Sequence, residues 1–184
     1  MTVAHATERM KQLMMQLREG TTPVNAARGV DLAETIRRIR RAKIGQEPVP
    51  ELELEEPLVA RGHEDRIERV IGHLVQNAIE ATGKNGRVWI KLRRENDRAM
   101  VEVGDTGSGM TAEFVRERLF KPFQTTKQSG MGIGAYESYQ YVQELGGTIL
   151  VDSAVGAGTR MKVLLPLFEG TPPHAVELPR KAAA

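Results

Sequence analysis

Two glycine-rich stretches decide how this chain folds around a ligand. They are Asp105-Thr106-Gly107-Ser108-Gly109-Met110 and, downstream, Ser129-Gly130-Met131-Gly132-Ile133-Gly134. Before the first stretch, residues 99–103 alternate apolar and polar side chains, as a half-buried strand does. The strand therefore delivers the Asp105 carboxylate into a turn that two glycines keep open. Glycine lacks Cβ, so the backbone can approach a flat ligand closely. A carboxylate at this position can accept a hydrogen bond from an exocyclic amine such as N6 of adenine.

The second stretch predicts a phosphate cradle. Its Gly-x-Gly-x-Gly spacing runs into a helical pattern over residues 136–145. A glycine-rich turn at the start of a helix offers free backbone N–H groups and the positive end of the helix dipole to phosphate oxygens. Either stretch alone is also typical of ordinary turns, so each motif needs the other for a functional interpretation.

Composition excludes several classes of protein. The chain has 184 residues, 40% of them hydrophobic and 27% charged, which suits one domain with an appendage. A net charge of +2 gives no strong positive electrostatic field that would attract nucleic acid. The basic cluster over residues 37–43 has no interleaved aromatic side chains. With no cysteine, disulfides and cysteine chemistry are excluded. No apolar run approaches the roughly 20 residues of a membrane helix, so we expect a cytoplasmic protein. From its charge, we expect no nucleic-acid partner.

The two ends of the chain differ from its middle. Val3 to Glu19 has a heptad-like apolar stripe, which predicts a helix (residues 1–20) that packs on the core or on a partner helix. Residues 21–30 are predicted to be a linker, and residues 169–184, with three prolines, a disordered tail. The main domain is therefore predicted over residues 31–168.

Helices and strands alternate in blocks through that domain. Helical periodicity is predicted from Asp31, as N-cap, through Arg41, and over residues 64–81, 111–118 and 136–145. Strand patterns cover residues 49–54, 58–60, 87–94, 98–104, 148–152 and 159–165. Hairpins dominate, so the fold class is α+β, a two-layer sandwich with helices on one face of a mixed, mostly antiparallel sheet.

The full set of motifs resembles the catalytic ATP-binding domain of sensor histidine kinases. In order, the motifs are His73-Leu74-Val75-Gln76-Asn77-Ala78, Asp105-x-Gly-x-Gly, Phe120-Lys121-Pro122-Phe123, Gly130-x-Gly-x-Gly and Gly156-x-Gly158-Thr159. They resemble the N box, the first glycine box, the F box and the later glycine boxes, over residues 31–167. The resemblance extends to gyrase, Hsp90 and MutL, and implies their Bergerat-type fold. The short lid with Thr125-Thr126-Lys127 resembles the nitrogen-regulator type, and the run from Gly130 to Glu137 is similar to sensor kinases of PEP-CTERM systems.

The resemblance implies a role for each motif residue. Asn77 would coordinate the Mg²⁺ that bridges the phosphates of ATP, and Asp105 would bind adenine N6, with Gly107 and Gly109 giving the base room. Lys127 would reach the phosphates. Further expected nucleotide-binding residues are Met110 at the end of the first glycine stretch, and Phe120 and Phe123, which would anchor the start of the lid. The others are Thr126, the cradle residues Gly130, Met131, Gly132, Ile133 and Gly134, and Thr159 on the adenine side. Phe120 and Phe123 also fit simple core anchors, and Lys127 fits a surface lysine.

The sequence departs from the kinase pattern at three points. His73 occupies a position where histidine kinases usually carry a second Asn and the hydrolysing relatives a Glu base; it is a candidate for phosphate or Mg²⁺ contact, for base catalysis or for a structural role. Glu80 stands where many kinases have Lys or Arg. No phosphoacceptor box is recognisable, because His5 lacks an adjacent acid and His63 opens the Asn77 helix.

The resemblance implies a histidine kinase catalytic domain that places Mg·ATP for phosphoryl transfer to a histidine outside this chain. Its expected partners are the phosphoacceptor helix hairpin of the parent kinase and a response regulator, with a possible homodimer through the N-terminal helix. Two alternatives remain open at this point. One is an ATP hydrolase or serine protein kinase that uses His73 as base, and the other is a degenerate module that only docks partners.

Overall fold

The computed structural model describes residues 27–124 and 132–170. Seven strands and four helices follow one another along this part of the chain. In chain order they are β1 (Arg28–Asp31), α1 (Leu32–Ala42), β2 (Glu51–Leu54), β3 (Val59–Gly62), α2 (Glu64–Ala81), β4 (Val88–Glu95), β5 (Arg98–Asp105), α3 (Ala112–Glu117), α4 (Gly134–Glu144), β6 (Thr148–Ala154) and β7 (Gly158–Pro166).

Five of the strands form one sheet in the order β2-β4-β5-β7-β6. The β2–β4 pair is parallel, and the other three pairs are antiparallel. β1 and β3 form a separate antiparallel pair. In the central pairs, Asp105 at the end of β5 lies opposite Val88 of β4 and Thr159 of β7. The sheet therefore brings the aspartate of the first glycine motif beside the threonine of the last one.

The core lies between this sheet and the helices. Alternate residues of β4 and β5 face it, and Val88, Ile90, Leu92 and Val101 are completely buried. α2 meets them with the stripe predicted from its periodicity, including Ile71 and Val75, which are also fully buried. The predicted α+β sandwich with helices on one face of a mixed sheet is confirmed.

Local signals place most element boundaries correctly. The Asp31 side chain caps α1 by accepting a hydrogen bond from the Glu34 backbone N–H at 3.1 Å. Thr111 caps α3 in the same way through the Phe114 N–H. Asn96 takes a positive φ of 56° in the turn between β4 and β5. The helix over residues 64–81 and this hairpin follow the predicted pattern closely.

The structure also contains a strand that the sequence did not predict. Arg28–Asp31 lies in the expected linker, yet it pairs with β3 and buries Val30. A four-residue strand with one apolar side chain has no periodicity to detect, so its partner decides its conformation. Residues 1–26, which include the expected helix of Val3 to Glu19, and residues 171–184 of the expected tail lie outside the described residues. Within residues 27–124 and 132–170, no helix is long and apolar enough to cross a membrane.

Candidate nucleotide-binding site

A cavity of about 550 Å³ opens between the C-terminal half of α2, the end of β5 and the start of α4. This volume is typical of pockets that hold a small ligand. Predicted site residues from all these elements converge on it. Those that line the cavity are His73, Asn77, Asp105, Gly109, Met110, Gly132, Ile133, Gly134 and Thr159.

Asp105 is a buried carboxylate in the cavity wall. The residue is only 5% exposed, and its Oδ1 accepts a hydrogen bond from the Gly107 backbone N–H at 2.8 Å. Burial raises the pKa of Asp105, while the backbone N–H groups of Gly107 and Thr159 partly offset this effect by stabilising the charge. A ligand amine that donates to this carboxylate replaces part of its lost hydration, as the predicted binding of adenine N6 by Asp105 requires.

Gly107 and Gly109 are needed for protein packing in this structure. A Cβ on Gly107 would lie 2.3 Å from the carbonyl oxygen of Ala81 at the end of α2. A Cβ on Gly109, where φ is +65°, would lie 1.9 Å from the carbonyl oxygen of Ala154. The resemblance implies that both glycines give a base room. Their nearest neighbours here are protein carbonyls, and Gly107 does not line the cavity.

Thr159 belongs to a small hydrogen-bonded group beside Asp105. Its Oγ1 lies 2.8 Å from the Ser153 Oγ, and that hydroxyl accepts a hydrogen bond from the Met110 backbone N–H at 2.8 Å. The loop after β5 is therefore tied to β6 and β7 on the far side of the cavity. Ser153 had no motif signal in the sequence, because its role depends on pairing between strands.

His73 and Asn77 lie one turn apart on α2 and contact each other. The Asn77 Nδ2 is 3.0 Å from the His73 Nε2. An amide nitrogen can only donate, so Nε2 accepts and the imidazole carries its proton on Nδ1. The ring also lies against the start of α4, since a Cβ on Gly134 would be 2.2 Å from its Cε1.

A row of three hydrogen-bonded side chains reaches the cavity from the end of α1. The Lys43 Nζ donates to the Gln76 Oε1 at 2.7 Å, and the Gln76 Nε2 donates to the Glu80 Oε1 at 2.8 Å. Both Gln76 and Glu80 line the cavity. Glu80 is a departure from the kinase pattern, whereas the contact between Lys43 and Gln76 has no signal in the sequence, because α1 and α2 meet only through tertiary packing.

The two phenylalanines of the F box have different environments. Phe120 is partly buried and stacks on Tyr139 of α4, with ring centroids 4.7 Å apart. Phe123 is 61% exposed and has a positive φ of 63°. Neither ring lines the cavity. The remaining candidates Thr126, Lys127, Gly130 and Met131 lie outside the described residues.

The charge of the cavity suits a cation together with a nucleotide base. Its described lining includes the carboxylates Glu80, Asp105 and Glu137 and contains neither lysine nor arginine. The described residues also contain no group of three His, Cys, Asp or Glu side chains that could hold a metal ion alone. An ion here would need oxygen ligands from the nucleotide as well as the Asn77 amide oxygen. Mg²⁺ commonly binds in this way, through few protein oxygens and substrate phosphates, so the donor set fits it.

Comparison with known proteins agrees with this geometry. The sensor protein DegM of Bacillus sp. (strain B21-2) is 34% identical over 112 residues, which is 61% of this chain and 30% of that protein. The C4-dicarboxylate transport sensor protein DctB of Rhizobium meliloti (strain 1021) is 38% identical over 104 residues, 55% of this chain and 17% of that protein. The chain thus spans less than a third of either relative's length.

Solved structures of histidine kinases share the fold. A mycobacterial sensor histidine kinase, MprB, has a TM-score of 0.69 and 25% identity, covering 77% of this chain and 98% of that one. The catalytic domain of histidine kinase ThkA has a TM-score of 0.66 and 29% identity, covering 76% and 95%. ThkA has also been solved in complex with the response regulator protein TrrA, where the TM-score is 0.67, the identity 24%, and the coverage 90% and 49%.

A family model matches the part of the chain that contains the cavity, its buried aspartate and its asparagine. Its description is histidine kinase-, DNA gyrase B-, and HSP90-like ATPase, and it matches residues 62–169. That range runs from the end of β3 through β7 and contains every described residue of the predicted site. This chain belongs to the family of histidine kinase-, DNA gyrase B- and HSP90-like ATPases.

Proposed function

We propose that this chain is the catalytic domain of a two-component sensor histidine kinase and places Mg·ATP for phosphoryl transfer to a histidine outside the chain. The observation that carries the proposal is the buried Asp105 carboxylate, which faces the same cavity as Asn77. Adenine recognition and metal binding need these two groups on one cavity, and sequence relatives named as sensor proteins support the kinase assignment.

Each side chain has a distinct task in this proposal. Asp105 accepts the hydrogen bond from adenine N6, and Thr159 supports the same side of the cavity. The oxygen of Asn77 binds Mg²⁺, and the N–H groups at the start of α4 face the phosphates. The ion that Asn77 would hold would supply neutralisation of the phosphate charge. We also assign Lys127 and Gly130 to phosphate binding, as the resemblance implies, and Thr126 and Met131 to nucleotide binding.

The partners in this proposal are the phosphoacceptor hairpin of the parent kinase and a response regulator. The solved complex of ThkA with TrrA supports the second partner. Residues 1–20 would form the C-terminal end of the hairpin helix and allow a homodimer, and residues 169–184 would be a disordered tail.

We place the domain in the cytoplasm. This location is compatible with a parent kinase that is anchored in a membrane. Within the kinases, we assign the nitrogen-regulator-like or PEP-CTERM-associated subtype on the short lid and the run from Gly130 to Glu137.

The geometry of His73 gives the hydrolase alternative no support. General base catalysis needs a nitrogen lone pair that faces the attacking water. The Nε2 lone pair of His73 accepts from Asn77, and Nδ1 carries the proton. The docking-module alternative relies on the stripe of Val3 to Leu17, which lies outside the described residues. Neither alternative gains an observation that favours it.

The testing experiment is a calorimetric titration of the purified chain with a non-hydrolysable ATP analogue, with Mg²⁺ and with a chelator. We expect saturable binding that Mg²⁺ strengthens, and Asn77→Ala should abolish that strengthening because the amide oxygen is gone. Phosphoryl transfer is then measured from labelled ATP to the parent's hairpin supplied separately. A folded chain that does not bind the analogue would overturn the proposal, and Mg²⁺ dependence retained in Asn77→Ala would reject Asn77 as ligand.

A further inference from the structure

The side chain of His73 contacts both predicted phosphate-side features of the cavity. On one edge, its Nε2 lies 3.0 Å from the Nδ2 of Asn77. On the other, the ring lies under the first residue of α4, where a Cβ on Gly134 would come within 2.2 Å of Cε1 and 2.5 Å of Nε2. α4 is 11 residues long, so its first turn presents a full helix N-terminus. One imidazole therefore separates and spaces α2 and α4 at the cavity.

We propose that His73 is a positioning residue that fixes the orientation of the Asn77 amide, with its nitrogen on the imidazole, and sets the distance from Asn77 to the first turn of α4. This inference rests on the proposed function and deepens it. His73 acts through Asn77 and Gly134 and needs no contact with the nucleotide.

The hydrogen bond selects one orientation of the amide. A primary amide is planar and has its oxygen and nitrogen on opposite edges, so rotation by half a turn exchanges them. Only the oxygen can bind a cation, since the NH₂ group is a donor. Holding Nδ2 on the imidazole keeps Oδ1 on the other edge of the amide plane. Partners behind a ligand typically change metal affinity by about tenfold to a hundredfold when removed.

The contact with Gly134 extends the effect to the phosphate side. Residues with a Cβ cannot occupy position 134 without displacing the ring or the helix, because 2.2 Å is far inside van der Waals contact. The position of the first turn of α4 therefore depends on the same ring that orients Asn77. A change at His73 should alter Mg²⁺-coupled binding while leaving the adenine end at Asp105 unchanged.

The first test compares His73→Leu with His73→Asn. Leucine approximates the volume but cannot accept a hydrogen bond, whereas asparagine restores an acceptor. The readout is the ratio of analogue dissociation constants with chelator and with Mg²⁺, measured by calorimetry on the whole chain, with adenosine as a second ligand. We expect His73→Leu to reduce the ratio about tenfold, His73→Asn to recover most of it, and adenosine affinity to stay the same in both.

Arg69→Leu is the matched control, because this exposed residue lies one turn earlier on α2 and does not line the cavity. It should leave the ratio at the wild-type value. If the wild type shows Mg²⁺-dependent binding and His73→Leu keeps the full ratio, the inference is wrong while the proposed function stands. If the wild type does not bind the analogue, the proposed function fails, and the claim about Asn77 fails with it.

The second test needs no nucleotide. Gly134→Ala is introduced into the wild type and into His73→Ala, and thermal unfolding is measured for all four proteins. We expect the alanine at 134 to lower the melting temperature in the presence of the ring and to be neutral or stabilising without it, since alanine favours helices. Equal effects in both backgrounds would show that the ring does not set the position of α4.

Discussion

At the scale of single residues, Asp105 shows a conflict between folding and binding. Its carboxylate is buried in the wall of the cavity, and burial raises its pKa. The folded state thus binds the proton of Asp105 more tightly than the unfolded chain does. Above the folded pKa, the buried charge opposes folding, and below the unfolded value it has no such effect. A residue kept at a cost to stability in a ligand cavity is typical of a binding group.

Asp105→Asn should therefore stabilise the fold and weaken adenine binding together. Asparagine keeps an oxygen for the Gly107 N–H but cannot ionise, so the free energy of unfolding should rise near pH 7, and the gain should vanish below about pH 4. The affinity for the ATP analogue should fall about tenfold to a hundredfold, because a charge-assisted hydrogen bond is lost. Denaturant titration across pH and calorimetry measure the two effects.

The matched control for this variant is Asp152→Asn, since Asp152 is an exposed carboxylate on β6 whose side chain is 76% accessible. It should change neither quantity appreciably. An Asp105→Asn protein that keeps full ATP affinity, or that is less stable at neutral pH, contradicts the assignment of Asp105 as a buried base anchor.

Glu80 determines the charge beside Asn77. The cavity has acidic groups and no lysine or arginine in its described lining, so polyphosphate binding without a metal ion is opposed by repulsion. Glu80→Lys should strengthen binding of the ATP analogue in chelator by roughly twofold to fivefold, given that exposed charges act weakly. Calorimetry in chelator is the measurement. Glu95→Lys, at the distant hairpin, makes the same change in net charge and should have no effect; equal gains in both variants would mean that only net charge matters.

At the scale of elements, the loop after β5 is held by contacts to two other elements. The Ser108 N–H donates to the carbonyl of Ala81 at the end of α2, and the Ser108 carbonyl accepts from Gly156 in the turn between β6 and β7. Gly109 takes the positive φ that brings the loop against Ala154. These contacts close one side of the cavity, so the loop's conformation shapes the candidate site.

Gly109→Ala should destabilise the protein by more than about 2 kcal/mol, since a Cβ meets both a left-handed backbone and a carbonyl 1.9 Å away. Gly72→Ala provides the comparison, because Gly72 lies within α2 and a Cβ there meets nothing within 4 Å. That substitution should stabilise the helix by up to about 1 kcal/mol. Denaturant unfolding measures both, and a tolerated Gly109→Ala would contradict the packing role.

At the scale of the whole molecule, the small β1–β3 pair completes the domain. β1 buries Val30, and its last residue, Asp31, is the N-cap of α1. Beyond β7, Leu167 forms a bridge with Ala60 of β3, so the two ends of the described chain meet on this strand. The expected boundary at residue 31 therefore falls at the end of a strand that packs on the domain.

Truncation tests this boundary. A protein starting at Arg28 should fold with nearly the stability of the parent domain, whereas one starting at Leu32 loses a cap and a buried valine and should be less stable by more than about 2 kcal/mol. Thermal and denaturant unfolding of both proteins give the difference. Equal stability would show that β1 contributes nothing to the fold and that the boundary at residue 31 is sufficient.

The sequence by itself determined the elements whose signals are local. The apolar stripe of α2, the caps Asp31 and Thr111, and the alternation that leads to Asp105 each occupy a few neighbouring residues, and their physical causes act over that distance. The order of the motifs was enough to predict that Asn77, Asp105 and Thr159 lie on one cavity.

Only the tertiary structure decided the contacts between distant residues. The parallel pairing of β2 with β4, the strand at Arg28–Asp31, the chain from Lys43 through Gln76 to Glu80 and the packing of Gly134 on His73 all join segments far apart in sequence. Such contacts leave no periodicity, because each depends on where the whole fold places a neighbour. The packing role of the glycines at 107 and 109 has the same origin, because the carbonyls that a Cβ would meet belong to α2 and β6.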